Sequence, residues 1–210
     1  MKLILLGAPG AGKGTQSHII CRTLGIPTIS TGDIIRHSME DGTESGLAAR
    51  QCVEAGRLVP DEIVTDMLRE RLGQDDCKNG FILDGFPRTL PQAKALVQMG
   101  AIIDYVVDIE VRDEVIEKRL SGRRICKDCG AAYHTQNNPS RKGDYCEECG
   151  GGLITRRDDT PAVIRDRIKI YHEQTEPLRD YYNAAGKLVV VDGEGDIEET
   201  AAHILAALEA

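Results

Sequence analysis

Short apolar runs alternate along this chain with longer segments in which apolar residues recur at helical spacing. The runs predict strands over residues 2–6, 27–30, 81–83, 105–109 and 188–191. The longer segments predict helices over residues 13–24, 48–54, 61–72, 91–99, 112–120, 161–182 and 197–208, with a further helix capped by Asp33 after residue 30. Strands that alternate with helices in this way predict an α/β fold, in which a parallel sheet carries helices on both faces.

One segment interrupts this alternation. From Gly122 to Asp159 the chain is polar, rich in Gly, Asn and Asp, and poor in periodic apolar residues. A stretch of this size cannot build an apolar core of its own, whereas a bound metal can contribute on the order of 10 kcal/mol to its folding. We therefore interpret residues 122–159 as a small insert stapled by a metal.

Four cysteines in this insert have the spacing of a metal site. Cys126 and Cys129 form one CxxC pair, Cys146 and Cys149 form a second, and sixteen residues separate the two pairs. Thiolates at this spacing can close a tetrahedron, which predicts a structural Zn²⁺, although iron or cobalt also fits such a site. The alternatives are a redox pair or disulfides. His134 is predicted to be a surface histidine rather than a further ligand.

A glycine-rich turn follows the first apolar run. Residues 7–15 read GAPGAGKGT and come directly after Leu6. A strand must end here, turn where glycine tolerates a positive φ, and begin a helix whose free N–H groups face an anion. Lys13 would add a mobile positive charge for the outer phosphates of a nucleotide. The pattern predicts a phosphate site, and the alternative is an ordinary strand-to-helix turn that is rich in glycine.

A carboxylate and several arginines extend this prediction. Asp84 ends a predicted strand, where it can hold Mg²⁺ or its waters, and Arg88 follows it closely. Eight of the seventeen arginines lie between residues 119 and 167, an enrichment that predicts a clamp for polyphosphate. The alternative is a solvated helix face with salt bridges. We keep that alternative for Arg124, Arg141, Arg157 and Arg165.

Composition and charge narrow the classes of function. The chain has 210 residues and a formal net charge of −8, and no apolar stretch approaches the ~20 residues of a membrane span. A general nucleic-acid binder needs a basic face, so the acidic balance argues against that class. The phosphate loop lies where a cleavable signal would destroy it, so we expect a cytoplasmic protein. In that reducing compartment Cys21, Cys52 and Cys77 are expected to be ordinary thiols.

Five separate motifs resemble the adenylate kinase family, in its long, bacterial-like form with a zinc-bearing lid. They are residues 7–15, 30–33, 84–88, 122–124 and 156–159. The general phosphate-loop pattern has Ser or Thr directly after Lys, whereas here Gly14 precedes Thr15, which is the family's own variant. The resemblance implies a P-loop NTPase-type core over residues 1–121 and 160–210, an AMP-binding segment over residues 30–59 and a zinc-binding lid over residues 122–159.

The resemblance also implies roles for individual residues. The implied catalytic residues are Lys13, Asp84, Arg88, Arg123, Arg156 and Arg167. The implied ATP contacts are Gly10, Ala11, Gly12, Lys13, Gly14, Thr15, Arg119, Arg123, Ala132, Tyr133 and Gly195. The implied AMP contacts are Thr31, Arg36, Arg57, Leu58, Val59, Gly85, Phe86, Pro87, Arg88, Gln92, Arg156 and Arg167. The implied zinc ligands are the four cysteines of the insert, and Asp84, with Asp33 as a lesser candidate, would orient the hydrated Mg²⁺.

The implied activity is reversible transfer of the terminal phosphoryl group of MgATP to AMP, giving two ADP. The enzyme would be a monomer that serves adenine nucleotide homeostasis and binds neither nucleic acid nor membrane. Arginines and Mg²⁺ would offset the repulsion between two polyanions, and closure of the lid would exclude water. Three alternatives stay open: a sister kinase for UMP, CMP or GMP, with base choice resting on Thr31, Val59 and Gln92; a zinc-ribbon module that binds nucleic acid; and a nucleotide-dependent switch that hydrolyses GTP or ATP slowly.

Overall fold

Strands and helices alternate along most of the chain, as the hydrophobic pattern predicts. The structure is a computed structural model and describes residues 1–209. Its strands are β1 (Lys2–Leu6), β2 (Thr28–Ser30), β3 (Phe81–Asp84), β4 (Tyr105–Glu110), β5 (Arg123–Cys126), β6 (Ala132–His134), β7 (Leu153–Ile154) and β8 (Leu188–Asp192). Its α-helices are α1 (Lys13–Leu24), α2 (Thr31–Glu40), α3 (Glu44–Glu54), α4 (Asp61–Leu72), α5 (Leu90–Gln98), α6 (Asp113–Ser121), α7 (Pro161–Ile170), α8 (Leu178–Ala184) and α9 (Ile197–Glu209). The predicted core extends to Ala210, which lies outside the described residues.

Five strands form one parallel sheet in the order β2-β3-β1-β4-β8. The side chains of the central strand alternate between its faces, as the period of two in a strand requires. Ile4 and Leu6 join a buried apolar cluster with α2, α4, α5 and α8, whereas Leu3 and Leu5 join a cluster with α1 and α9 on the opposite face. Each such side chain contributes about 2 kcal/mol through burial. The predicted α/β class with helices on both faces is confirmed, and the carboxyl ends of all five strands meet at one edge.

The insert contains a second, smaller sheet. β5 pairs antiparallel with β6 and with β7, giving the order β6-β5-β7. The sequence did not predict these strands, because they are short and carry no alternating apolar pattern. Between residues 122 and 159 the buried apolar side chains are Ile125, Cys126 and Cys146. The insert therefore has almost no apolar core, as its composition predicts.

Two predictions about helices are wrong. The predicted helix over residues 161–182 is interrupted: α7 ends at Ile170, a π-helical turn spans Tyr171–Thr175, and α8 follows. Pro177 explains the break, because proline cannot donate the next helical hydrogen bond and its ring clashes with the preceding turn. The helix after residue 30 is capped by Ser30, whose hydroxyl accepts a hydrogen bond from the backbone N–H of Asp33 at 3.3 Å, and Asp33 lies inside the first turn.

None of the helices within residues 1–209 combines the length and the apolar character that crossing a bilayer requires.

Candidate active site

The glycine-rich turn between β1 and α1 has a backbone that only glycine adopts readily. Gly7, Gly10 and Gly12 have φ values of +134°, +88° and +104°. A Cβ at Gly7 would lie 2.7 Å from the backbone oxygen of Ile109, so this glycine is also required for close approach to β4. α1 begins at Lys13 without a side-chain cap, which leaves its first N–H groups for an anion.

Lys13 lies across the mouth of this turn. Its Nζ donates hydrogen bonds to the carbonyl oxygens of Gly7 at 2.7 Å and Ala8 at 3.0 Å. Burial lowers the pKa of Lys13 to about 8, although the nearby Asp84 carboxylate acts in the opposite direction. A buried cation with two backbone acceptors gains a stronger partner when a phosphate arrives.

The end of β3 supplies a carboxylate and a guanidinium to the same edge of the sheet. Burial raises the pKa of Asp84, while Lys13 and Arg88 act to lower it. The Arg88 Nε donates to the carbonyl of Gly85 at 2.8 Å, and the Thr175 hydroxyl donates to the carbonyl of Arg88 at 2.9 Å. Burial lowers the pKa of Arg88 to about 10, with the positive charge of Arg167 adding to the effect. Arg88 is therefore held in place by its own loop and by the π-helical turn.

Three further arginines from the insert and α7 are held by carboxylates. Arg123 donates two hydrogen bonds to Asp159, at 2.8 and 2.6 Å. Arg167 forms ion pairs with Asp158 at 2.9 Å and with Asp159 at 3.1 Å. Arg156 lies 3.6 Å from Asp33, and burial lowers the pKa of Arg156 to about 10.

Sequence reasoning assigned no role to Asp158 and Asp159. Both are buried, and the Asp159 side chain has no exposed surface. They directly follow the arginine pair 156–157 in the chain, and this adjacency was the available signal. Their two negative charges offset part of the positive charge of the arginines that line the cleft, through the ion pairs with Arg123 and Arg167.

Arg119 connects two loops at the other end of the cleft. Its Nη1 donates to the carbonyl of Ala11 at 3.3 Å, and its Nη2 donates to the carbonyl of Gly193 at 2.8 Å. Ala11 belongs to the glycine-rich turn, while Gly193 precedes the loop that contains Gly195. The Arg119 side chain thus connects the glycine-rich turn, predicted to bind the phosphates of ATP, with the loop that contains Gly195, predicted to contact its adenine.

The predicted contacts of both nucleotides line one continuous cleft of about 1390 Å³. This volume exceeds the ~300–1,000 Å³ of most single-ligand pockets, as a site for two nucleotides requires. All of the predicted ATP contacts and all but one of the predicted AMP contacts lie along it. The exception is Phe86, whose side chain is fully buried in the apolar cluster below the loop. The ring of Phe86 supports the loop from the core side, and a contact of this residue with AMP through its backbone stays a prediction.

The four predicted metal ligands come together in the insert. The Sγ atoms of Cys126, Cys129, Cys146 and Cys149 all lie within 4.8 Å of one another. Cys126 and Cys149 are 3.4 Å apart and Cys129 and Cys146 are 3.6 Å apart, whereas a disulfide requires about 2.05 Å. Tetrahedral Zn²⁺ with bonds of ~2.3 Å places its sulfurs about 3.8 Å apart, so this donor set fits zinc.

The surroundings of one of the cysteines favour its thiolate form. The Tyr133 hydroxyl contacts Cys146 Sγ at 3.4 Å and lowers the pKa of this thiol, which favours the thiolate. His134 lies outside the cluster: its Nδ1 accepts hydrogen bonds from the backbone N–H groups of Gln136 and Asn137. His134 is thus outside the four-cysteine cluster, as predicted, but it is half-buried in the insert rather than a surface histidine.

Comparison with known proteins agrees with this geometry. The family model described as adenylate kinase matches residues 5–187. The chain is 51% identical over 212 aligned residues to an adenylate kinase of Caldicellulosiruptor bescii, and the alignment covers 99% of each chain. It is 50% identical to the adenylate kinase of Lachnoclostridium phytofermentans, over 99% of this chain and 98% of that one. With the adenylate kinase of Methanosarcina barkeri it shares 48% identity, over 100% and 99% of the two chains. The chain belongs to the adenylate kinase family.

Proposed function

We propose that the protein catalyses reversible transfer of the terminal phosphoryl group of MgATP to AMP, giving two ADP, and so balances the adenine nucleotides. The observation that carries this proposal is the single cleft in which the phosphate loop faces four arginines from three parts of the chain. Those arginines are Arg88, Arg123, Arg156 and Arg167. A protein that bound one nucleotide as a switch would have no need for this second set of cations.

The donor side of the reaction is assigned to the glycine-rich turn. Residues 10–15 hold the phosphates of ATP, Lys13 follows the transferred group, and Arg119, Arg123, Ala132, Tyr133 and Gly195 complete the site. Asp84, with Asp33 as a lesser candidate, holds the waters of the Mg²⁺ that accompanies ATP. When bound, Mg²⁺ supplies positive charge that offsets the charge of the phosphates.

The acceptor side is assigned to the segment over residues 30–59 and to the loop after β3. Its contacts to AMP come from Thr31, Arg36, Arg57, Leu58, Val59, Gly85, Pro87, Arg88, Gln92, Arg156 and Arg167. The oxygen of the AMP phosphate is already an anionic nucleophile, so no strong base is required. Positioning and electrostatic stabilisation by the arginines carry the rate.

Two of the arginines bind carboxylates before the nucleotides arrive. Arg123 and Arg167 pair with Asp158 and Asp159 in the protein alone, and they add phosphate oxygens as partners when nucleotides bind. Burial has already removed much of their hydration, so less reorganisation is needed when the charge of the transition state develops. Their carboxylate partners hold them in place until then.

The insert over residues 122–159 is assigned as a lid on the core formed by residues 1–121 and 160–210. Closure carries Arg123 and Arg156 over ATP and excludes water, which would otherwise hydrolyse it. The four cysteines hold a structural Zn²⁺ that stiffens the lid without touching substrate, because four thiolates leave no coordination position open. We place the enzyme in the cytoplasm as a monomer, without nucleic-acid or membrane partners, in line with its net charge of −8.

A coupled assay tests this function. Purified protein with ATP, AMP and Mg²⁺ should form ADP rapidly, and the same mixture without AMP or without Mg²⁺ should form almost none. Parallel reactions with UMP, CMP and GMP test the alternative of a sister kinase. Slow hydrolysis of ATP that is independent of AMP would refute the proposal in favour of a nucleotide-dependent switch.

A further inference from the structure

Asp61 lies at the start of α4 and holds two side chains of the loop and helix after β3. Its Oδ1 accepts a hydrogen bond from Gln92 Nε2 at 2.7 Å, and its Oδ2 accepts one from the Thr89 hydroxyl at 2.9 Å. Gln92 is held from its other side as well, because its Oε1 accepts the backbone N–H of Arg88 at 2.7 Å. The side-chain amide of Gln92 is thus fixed at both of its polar atoms.

The two partners of Gln92 allow one orientation of its amide. A carboxylate such as Asp61 can only accept, and a backbone N–H such as that of Arg88 can only donate. Rotation of the amide by 180° would place two acceptors against each other at Asp61 and two donors against each other at Arg88. Gln92 is only 2% exposed, so water cannot relieve either mismatch. Asp61 and the backbone N–H of Arg88 therefore together determine which atom of the Gln92 amide is the donor at each position, and Asp61 is the side chain of the two.

Each polar atom of this amide keeps one unused hydrogen-bonding position, and Gln92 lines the cleft. Oε1 retains a second lone pair, and Nε2 retains a second hydrogen. Adenine offers an amino donor at N6 beside an unprotonated ring nitrogen that accepts, whereas guanine offers a carbonyl acceptor at O6 beside a protonated ring nitrogen. The fixed order of acceptor and donor on Gln92 matches adenine and opposes guanine.

We propose that Asp61 is a positioning residue that makes the acceptor site prefer adenine over guanine, by holding the Gln92 amide in one orientation. This proposal rests on the proposed function, in which Gln92 faces the base of AMP. Asp61 does not itself reach the nucleotide, since it is not among the residues that line the cleft.

The variant Asp61→Asn tests this role. Asparagine has nearly the same shape as aspartate but can donate as well as accept. In this variant the position next to residue 61 therefore no longer requires the donor atom Nε2 of Gln92. We expect the ratio of kcat/KM for AMP to kcat/KM for GMP to fall about tenfold. The change should lie in the KM of the monophosphates, with KM for ATP unaltered. Should Asp61→Asn fail to fold, Asp61→Ser offers a second test, because serine removes the carboxylate at a first helical residue that makes no capping hydrogen bond.

Two control variants separate positioning from general support of the loop. Asp66→Asn changes an exposed aspartate on the same helix, paired with Arg69, and should alter neither the ratio nor the rate. Thr89→Val removes the hydrogen bond between Thr89 and Asp61 and the cap of α5, but it leaves the hydrogen bond between Asp61 and the side-chain amide of Gln92. It should therefore lower the melting temperature and keep the ratio of kcat/KM values.

The outcomes are distinct. An equal loss of kcat for AMP and GMP in Asp61→Asn, with the ratio unchanged, would overturn the inference and leave the proposed function intact. A wild-type protein that forms no ADP from ATP and AMP would overturn both. A fall in the ratio in Asp61→Asn but not in Thr89→Val supports the positioning role.

Discussion

The five-stranded sheet and the insert hold their functional groups by different means. Lys13, Asp84 and Arg88 lie at the edge of a sheet whose central strand is buried on both faces. The insert over residues 122–159 buries three apolar side chains, and two of these are cysteines of the metal cluster. The first region is stable through apolar burial, whereas we propose that the second depends on four thiolates and an ion.

This difference lets one region of the molecule stay rigid while the other moves as the proposed lid. A fixed phosphate loop benefits from a rigid, close-packed base, because small displacements of catalytic groups cost rate. A lid must leave the cleft and return, so it cannot share a large apolar interface with the core. Local order from a metal lets such a segment stay folded while it makes few apolar contacts.

Removal of the metal should have the largest effect, and it tests the comparison directly. Chelation, or the variant Cys129→Ser, should reduce the protection of backbone amides in residues 123–134 by about a hundredfold or more, because no apolar core replaces the metal. Protection in β1, β3 and β4 should stay unchanged. Hydrogen exchange followed by mass spectrometry measures both regions at once. Cys21→Ser, which changes a cysteine outside the cluster, is the control, and equal protection of the insert with and without metal would contradict the comparison.

In turnover rather than in local order, the largest effect should come from substitution of the core arginine. In Arg88→Ala we expect kcat to fall about 10³-fold, because a preorganised cation is lost from the transition state. The melting temperature should change little, since the removed charge is one that burial disfavours. Arg69→Ala, at an exposed position, is the matched control. Turnover at the wild-type rate would remove Arg88 from the catalytic residues.

Substitution of Arg123, an arginine of the insert, should affect stability as well as turnover. Arg123→Ala should lower kcat as well, but it also leaves the buried Asp159 carboxylate with one ion-pair partner fewer. The melting temperature of this variant should therefore fall, unlike that of Arg88→Ala. Equal melting temperatures for the two variants would show that the ion pair adds nothing to stability.

A pH profile should show the smallest effect. Because burial lowers the pKa of Lys13 to about 8, the free enzyme loses this positive charge as the pH rises through that value. We expect kcat/KM for ATP to be about tenfold lower at pH 9 than at pH 7. Lys13→Arg keeps its charge over this range and should show no inflection near pH 8. A flat profile in the wild-type protein would mean that Lys13 stays protonated in the phosphate loop.

Local motifs made most of the site predictable from the sequence. The phosphate loop, Asp84 with Arg88, and the two CxxC pairs each combine neighbouring residues with an adjacent strand or turn, so their geometry follows from short stretches of chain. The fold class was predictable for the same reason, since strand and helix periods are local properties.

Other features depend on contacts between distant residues and could not be predicted. Asp61 and Gln92 are separated by thirty-one positions and Arg123 and Asp159 by thirty-six. The cap at Ser30 was missed because several adjacent residues can accept the same N–H groups, and tertiary packing selects one of them. The π-helical turn at Tyr171–Thr175 required knowledge of how α8 packs after Pro177. The burial of the Phe86 ring could not be predicted, because the position of a residue in a binding motif does not reveal the direction of its side chain.

The two hydrogen bonds of Arg119 affect how any mutation at this position is interpreted. One guanidinium joins the carbonyls of Ala11 and Gly193, which belong to two loops that line the proposed ATP pocket. Loss of the side chain would free both loops together, and the pocket would widen even where no charge is needed. A weaker affinity for ATP in Arg119→Ala would thus report the width of the pocket as much as a missing contact to phosphate.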